Sequence, residues 1–124
     1  MSDKPIPATP DLLEDLQLKL RRFAAERDWD QFHSPKNLAM ALSVEAAELL
    51  EHFQWLSDAE SSALTPETRG RVAEELADVL LYLVRLADKL DVDLTAAAFE
   101  KLKLNATKYP ADKARGSSKK YSEL

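Results

Sequence analysis

Residues 76–87 read Leu-Ala-Asp-Val-Leu-Leu-Tyr-Leu-Val-Arg-Leu-Ala, and Asp78 and Arg85 are the only charges among them. The run lacks the alternation of a half-buried strand, and its Leu and Ala favour helix. A helix that is apolar on nearly every side must be buried on nearly every side. Three amphipathic neighbours would barely wrap it in a chain of 124 residues. Either it is the central helix of a monomeric bundle or, the reading favoured here, it is the seam of a homo-oligomer.

The rest of the chain agrees on helix. It has 21 Leu and 18 Ala against five Val and one Ile, the balance of an all-α protein. Ser34-Pro35 and Thr65-Pro66 each place a capping hydroxyl before a proline at the first helical position. Asp93 is a further N-cap, and Pro110 ends the helix before it. These signals predict a four-helix bundle with helices over about 11–27, 35–55, 66–90 and 94–109. Residues 1–10, with three of the six prolines, read as a flexible N-terminal arm. The globular domain is expected over 11–110, followed by a polar C-terminal tail over 111–124.

Composition closes off several classes of function. With no cysteine there is no disulfide, thiolate metal site or cysteine nucleophile. Gly70 and Gly116, the two glycines, are too far apart for a phosphate-cradling glycine loop. A net charge of −5 argues against a nucleic-acid polymer as partner. No apolar run is long enough for a membrane span, and the first residues lack the apolar core of a signal peptide. A cytoplasmic location is therefore expected.

The acids are the anomaly. Stepping about 100° per residue from Leu38, Leu42 and Leu49 fall within about 40° of the origin and Phe53 near 60°. Glu45 falls at about 340°, inside this apolar stripe, and Glu48 flanks it near 280°, whereas Glu51 points away near 220°. The third helix repeats the pattern. With Glu75 as origin, Leu86, Val79 and Val72 lie at about 20–60°, Tyr82 near 340° and Asp78 near 300°. Each helix thus carries an i, i+3 acid pair inclined toward its core face. Four converging acids need protonation, basic partners or a metal. Arg21, Arg22, Lys36 and Arg85 are the basic candidates, though their faces do not match all four acids. A hard divalent cation, Mg²⁺ or Mn²⁺, meets the need directly. A di-iron site would want Glu-x-x-His, which does not occur, and His52 lies four residues after Glu48. His33, just before a helix cap, suits a loop or the edge of a ligand site better than a metal.

Glu45-x-x-Glu48, 26 intervening residues and Glu75-x-x-Asp78 resemble the ExxE…ExxD signature of the all-α, MazG-like nucleoside triphosphate pyrophosphohydrolases. The dCTP pyrophosphatase branch is the nearer resemblance. Phe23-Ala-Ala-Glu-Arg-Asp-Trp29, Phe32-His33, Phe53-Gln54-Trp55, Glu74-Glu75-Leu-Ala-Asp78-Val-Leu-Leu-Tyr82, Asn105 and Lys108-Tyr109-Pro110 carry it, with Arg115-Gly116-Ser117 and Lys120-Tyr121 in the tail. The resemblance implies that Glu45, Glu48, Glu75 and Asp78 hold Mg²⁺, with Mn²⁺ as an alternative. It implies cleavage of a nucleoside triphosphate, dCTP or a modified dCTP, to the monophosphate and pyrophosphate. Trp29, Trp55 and Tyr82 would line the nucleoside pocket, and Asn105 and Lys108 would meet phosphate. Subunits would pair through the long central helices as a homodimer or homotetramer. Leu20 stands where animal members are expected to carry a histidine, which leaves the base preference open. The competing reading is a non-catalytic helical oligomerisation module with a structural cation site.

Overall fold

The computed structural model describes residues 11–124, so the N-terminal arm expected over 1–10 lies outside the described residues. Helix α1 spans Leu12–Glu26, α2 Pro35–Glu51, α3 Asp58–Ser61, α4 Pro66–Lys89, α5 Leu94–Lys108 and α6 Ala111–Ala114. Single 3₁₀ turns cover Asp30–Phe32 and Tyr121–Glu123, and the described residues contain no strand. The expected caps are present. Ser34 accepts from the Asn37 N–H, Thr65 from that of Thr68 and Asp93 from that of Ala96. Each satisfies a backbone donor that the first helical turn leaves free.

Two boundaries differ from the sequence reading. α2 ends at Glu51 and not at 55, because the chain tightens into a turn in which the N–H groups of Phe53 and Gln54 both donate to the Leu50 carbonyl. No glycine or proline marks this break. The expected loop over 57–65 contains α3, started by a reciprocal capping box in which Ser57 and Glu60 bond each other's backbone N–H.

The helix ends that matter most are closed by aspartates. Asp28 and Asp91 both adopt φ of 54°, a left-handed conformation in which a short polar side chain is tolerated. After α1, Asp28 N–H bonds Ala25 O and Trp29 N–H bonds Ala24 O. After α4, Asp91 N–H bonds Asp88 O and Val92 N–H bonds Ala87 O. These paired bonds satisfy terminal carbonyls and fix the exit direction of the chain. At the end of α1 they deliver Trp29.

The chain divides into two compact units, one ending at Val92 and the other spanning Asp93–Leu124. In the first, α4 packs against α2 and α1. Its buried apolar residues are Ala24, Leu38, Val72, Val84 and Ala87, joined by the side chain of Arg85. The apolar run of α4 is not covered on every side within one chain, since Leu76 is 53% exposed and Leu80 and Leu83 also face out. In the second unit the tail is ordered against α5. Gly116, at φ of 74°, allows a turn that a side chain would strain. Tyr121 then packs edge-on to Tyr109 at 6.0 Å, and Lys108 Nζ lies 5.1 Å from the Tyr121 ring centroid.

Candidate metal and nucleotide site

α2 and α4 carry the acids to one place. Glu45, Glu48 and Glu75 each offer a carboxylate oxygen, and these three atoms lie within 4.8 Å of one another. Oε2 of Glu45 and Oε2 of Glu75 are shielded from solvent and accept no hydrogen bond. Burial is the largest cause pushing the Glu45 carboxyl up to about 7, followed by the hydrogen bond and charge of Glu48, with Glu75 and Asp78 adding to it. Asp78 is more exposed and falls outside the tight trio, yet its charge acts on Glu45.

Two of the four basic candidates considered from the sequence are engaged elsewhere. Arg21 pairs with Asp88, and Arg85 pairs with Asp30 and Asp88. Among the described residues no Lys or Arg forms an ion pair with Glu45, Glu48, Glu75 or Asp78. The only such neighbour is His52, whose Nε2 is 3.8 Å from Glu75 Oε1. Clustered hard oxygen donors, two of them buried and unbonded, fit a small divalent cation. Retention of a proton on Glu45 is the other way to relieve the crowding.

A model of the MazG-like family matches residues 40–124, which include all four acids. The chain belongs to this family. It is 50% identical over 114 residues to dCTP pyrophosphatase 1 of Homo sapiens, an alignment that covers 90% of this chain and 67% of the human protein. The same enzyme from Rattus norvegicus is likewise 50% identical over 114 residues. Among solved structures, a pyrophosphatase from Archaeoglobus fulgidus is similar with a TM-score of 0.77 and 41% identity, covering 86% of this chain and 99% of that one.

Beside the acids of this MazG-like chain is a cavity of about 240 Å³ whose apolar wall is Leu20, Phe23, Trp29 and Leu81. Its polar atoms come from His33, Asp78, Tyr82 and Arg85. Asp78 therefore belongs both to the charge cluster and to the cavity wall. The Trp29 ring is held edge-on to Phe23 at 5.7 Å, and the Arg27 guanidinium covers Phe23 at 3.7 Å.

Of the aromatics expected at a nucleoside pocket, Trp29 and Tyr82 line this cavity. Trp55 does not; it sits in the turn after α2 and is 87% exposed. Asn105 and Lys108 lie on α5, within the second unit, both half-buried. What the sequence reading missed is the polar support of the cavity. Arg85 donates from Nε to His33 Nδ1 at 3.1 Å, from one terminal nitrogen to Asp30 at 2.6 Å and from the other to Asp88 at 3.3 Å. Asp88 in turn accepts both bonds of the Arg21 fork, at 2.8 and 2.6 Å. The one available signal was Arg85 itself, a lone cation in an apolar run.

Proposed function

We propose that this protein is a Mg²⁺-dependent dCTP diphosphatase, in which water cleaves the bond between the α- and β-phosphates to give dCMP and pyrophosphate. The observation that carries this reading is the crowded carboxylate trio with its two unbonded buried oxygens, beside an aromatic cavity sized for a nucleoside. The similarity to dCTP pyrophosphatase 1 supports the choice of substrate. Clearance of unwanted nucleotides is the purpose such a reaction serves.

Glu45, Glu48, Glu75 and Asp78 are assigned as the residues that hold the cation. When bound, Mg²⁺ neutralises the triphosphate and polarises the phosphorus–oxygen bond under attack. Trp29 stacks on the base, a contact worth about 1–3 kcal/mol that tolerates many bases. Tyr82 and the polar atoms around it choose among them. Trp55 is assigned to the nucleoside pocket, and its exposed indole is free to reach a nucleotide or a second subunit. Asn105 and Lys108 are assigned to the phosphates, and Arg115, Lys119 and Lys120 add charge from the tail.

The assembly is assigned as a homodimer or homotetramer. Met40 and Val44 on α2, and Leu76, Leu80 and Leu83 on α4, form helical stripes left exposed in a single chain. Light scattering on the purified protein, with Leu80→Glu alongside, tests this; a wild type of monomer mass overturns it.

The function itself is tested by pyrophosphate release from a panel of ribo- and deoxynucleoside triphosphates, with Mg²⁺ and with EDTA. Release from dCTP that needs Mg²⁺ and is lost in Glu75→Gln is the expected result. No release from any nucleotide would overturn the reading and favour a helical module with a structural cation.

A further inference from the structure

Arg85 is a charged residue buried in the first unit's core, 5% exposed. Its three hydrogen bonds reach the segment after α1 through Asp30 and His33, and its own helix through Asp88. A guanidinium can only donate. The 3.1 Å contact with His33 Nδ1 therefore requires Nδ1 to be an acceptor, which leaves the ring proton on Nε2. An imidazolium would oppose an N–H to the Arg85 N–H at this distance. Burial, and then the Arg85 and Lys89 cations, push the His33 pKa below its ordinary value, in keeping with a neutral ring. The Asp30 carboxylate, bonded by Arg85 and Lys89 together, holds the guanidinium in place from the other side.

His33 Nε2 has no hydrogen-bond partner among the described residues, and His33 lines the cavity that also holds Trp29 and Tyr82. We propose that His33 reads the acceptor edge of the substrate's base through its Nε2–H, and that Arg85 is the positioning residue that fixes this tautomer. The inference rests on the nucleotide reading above and deepens it. Cytosine presents N3 and O2 as neighbouring acceptors, whereas thymine carries a hydrogen on N3. A donor fixed opposite N3 thus pairs with cytosine and meets another donor in thymine. The mismatch leaves two donors unsatisfied in a cavity with few alternatives, and unpaired groups of this kind dominate discrimination.

The test combines selectivity with a direct view of the ring. The chain has two histidines, so a long-range ¹H–¹⁵N spectrum contains two imidazoles, and loss of one in His33→Phe assigns them. The expected wild-type spectrum shows His33 as a single Nε2–H tautomer near neutral pH. Arg85→Lys keeps the charge but lacks the Nε donor, and should mix the tautomers. His33→Phe should reduce the ratio of kcat/KM for dCTP over dTTP by about ten- to a hundredfold, and Arg85→Lys should reduce it in the same direction. A His33 that carries its proton on Nδ1, or an unchanged ratio in folded His33→Phe, overturns the proposal while leaving dCTP hydrolysis standing. A wild type inactive on every nucleotide overturns both readings. Loss of fold in Arg85→Lys leaves the decision with His33→Phe, whose ring lies in the segment between α1 and α2.

Discussion

Replacing Glu45 by Gln should stabilise the protein while abolishing its activity, and the stabilisation should depend on pH in a defined way. The Glu45 carboxyl titrates at about 7 in the folded chain against an ordinary value of 4.5. At about 1.4 kcal/mol per unit, keeping it ionised costs the fold at most about 3.5 kcal/mol. The side chain is only half-buried, so screening by solvent reduces this to about 1–2 kcal/mol. The sign follows from the raised value. The favourable contribution is complete below about pH 4.5, where both states are protonated, and is lost as pH rises through about 7. Gln has nearly the same shape and helix propensity and imitates the neutral acid. Urea unfolding followed by circular dichroism, in EDTA and at matched protein concentration, should give Glu45→Gln an advantage of about 1–2 kcal/mol at pH 8, most of it gone by pH 5. Saturating Mg²⁺ should then stabilise the wild type more than the variant, because binding to the folded state alone adds to its stability. No advantage at pH 8, or an equal one at pH 5, would refute the electrostatic reasoning.

Other perturbations are equally direct. Asp88→Asn should cost about 2–4 kcal/mol in the same unfolding assay, since the 8% exposed carboxylate faces both Arg21 and Arg85. The Arg21 hydrogen bond is the first cause holding Asp88 below its ordinary pKa, so the wild type's advantage should be present above about pH 4 and fade as pH falls further. Asp91→Gly should raise stability by about 0.5 kcal/mol, because φ of 54° suits glycine better. Trp29→Ala should raise KM for dCTP by about 5- to 150-fold in the pyrophosphate assay, the equivalent of one stacked base. Truncation after Pro110 should raise KM for the triphosphate by removing Tyr121 from Lys108 together with Arg115, Lys119 and Lys120; an unchanged KM would remove the tail from the substrate site.

The features legible in the sequence were those that follow a helical period. Helical phase alone put Glu45 and Glu75 on core faces, and they do converge with Glu48. Capping chemistry located the starts of α2, α4 and α5 because Ser34, Thr65 and Asp93 act within three residues of themselves. The early end of α2 was not legible, since its breaking bonds run between ordinary residues. The left-handed ends at Asp28 and Asp91 were hidden for a related reason: glycine is the usual signal, and aspartate stands in its place. Of the Arg85 network only Arg85 itself stood out. It joins His33, Asp30 and Asp88, and only Asp88 shares a helix with Arg85. The role proposed for Trp55 and the proposed assembly concern surfaces that a single chain leaves open.

The ties of Arg85 also bear on which way round the proposed nucleotide would enter. Among the described residues it is the one cation lining the aromatic cavity, and its charge is answered by Asp30 and Asp88 before any ligand arrives. The cavity also presents the Asp78 carboxylate. A triphosphate pushed in head first would find no uncompensated positive charge there and one negative group. On the proposed function, the base is then the end that such a chamber would admit, with the phosphates left outside it. Orientation is thus obtained by subtraction: the guanidinium that braces the walls has been withdrawn from the competition for anions.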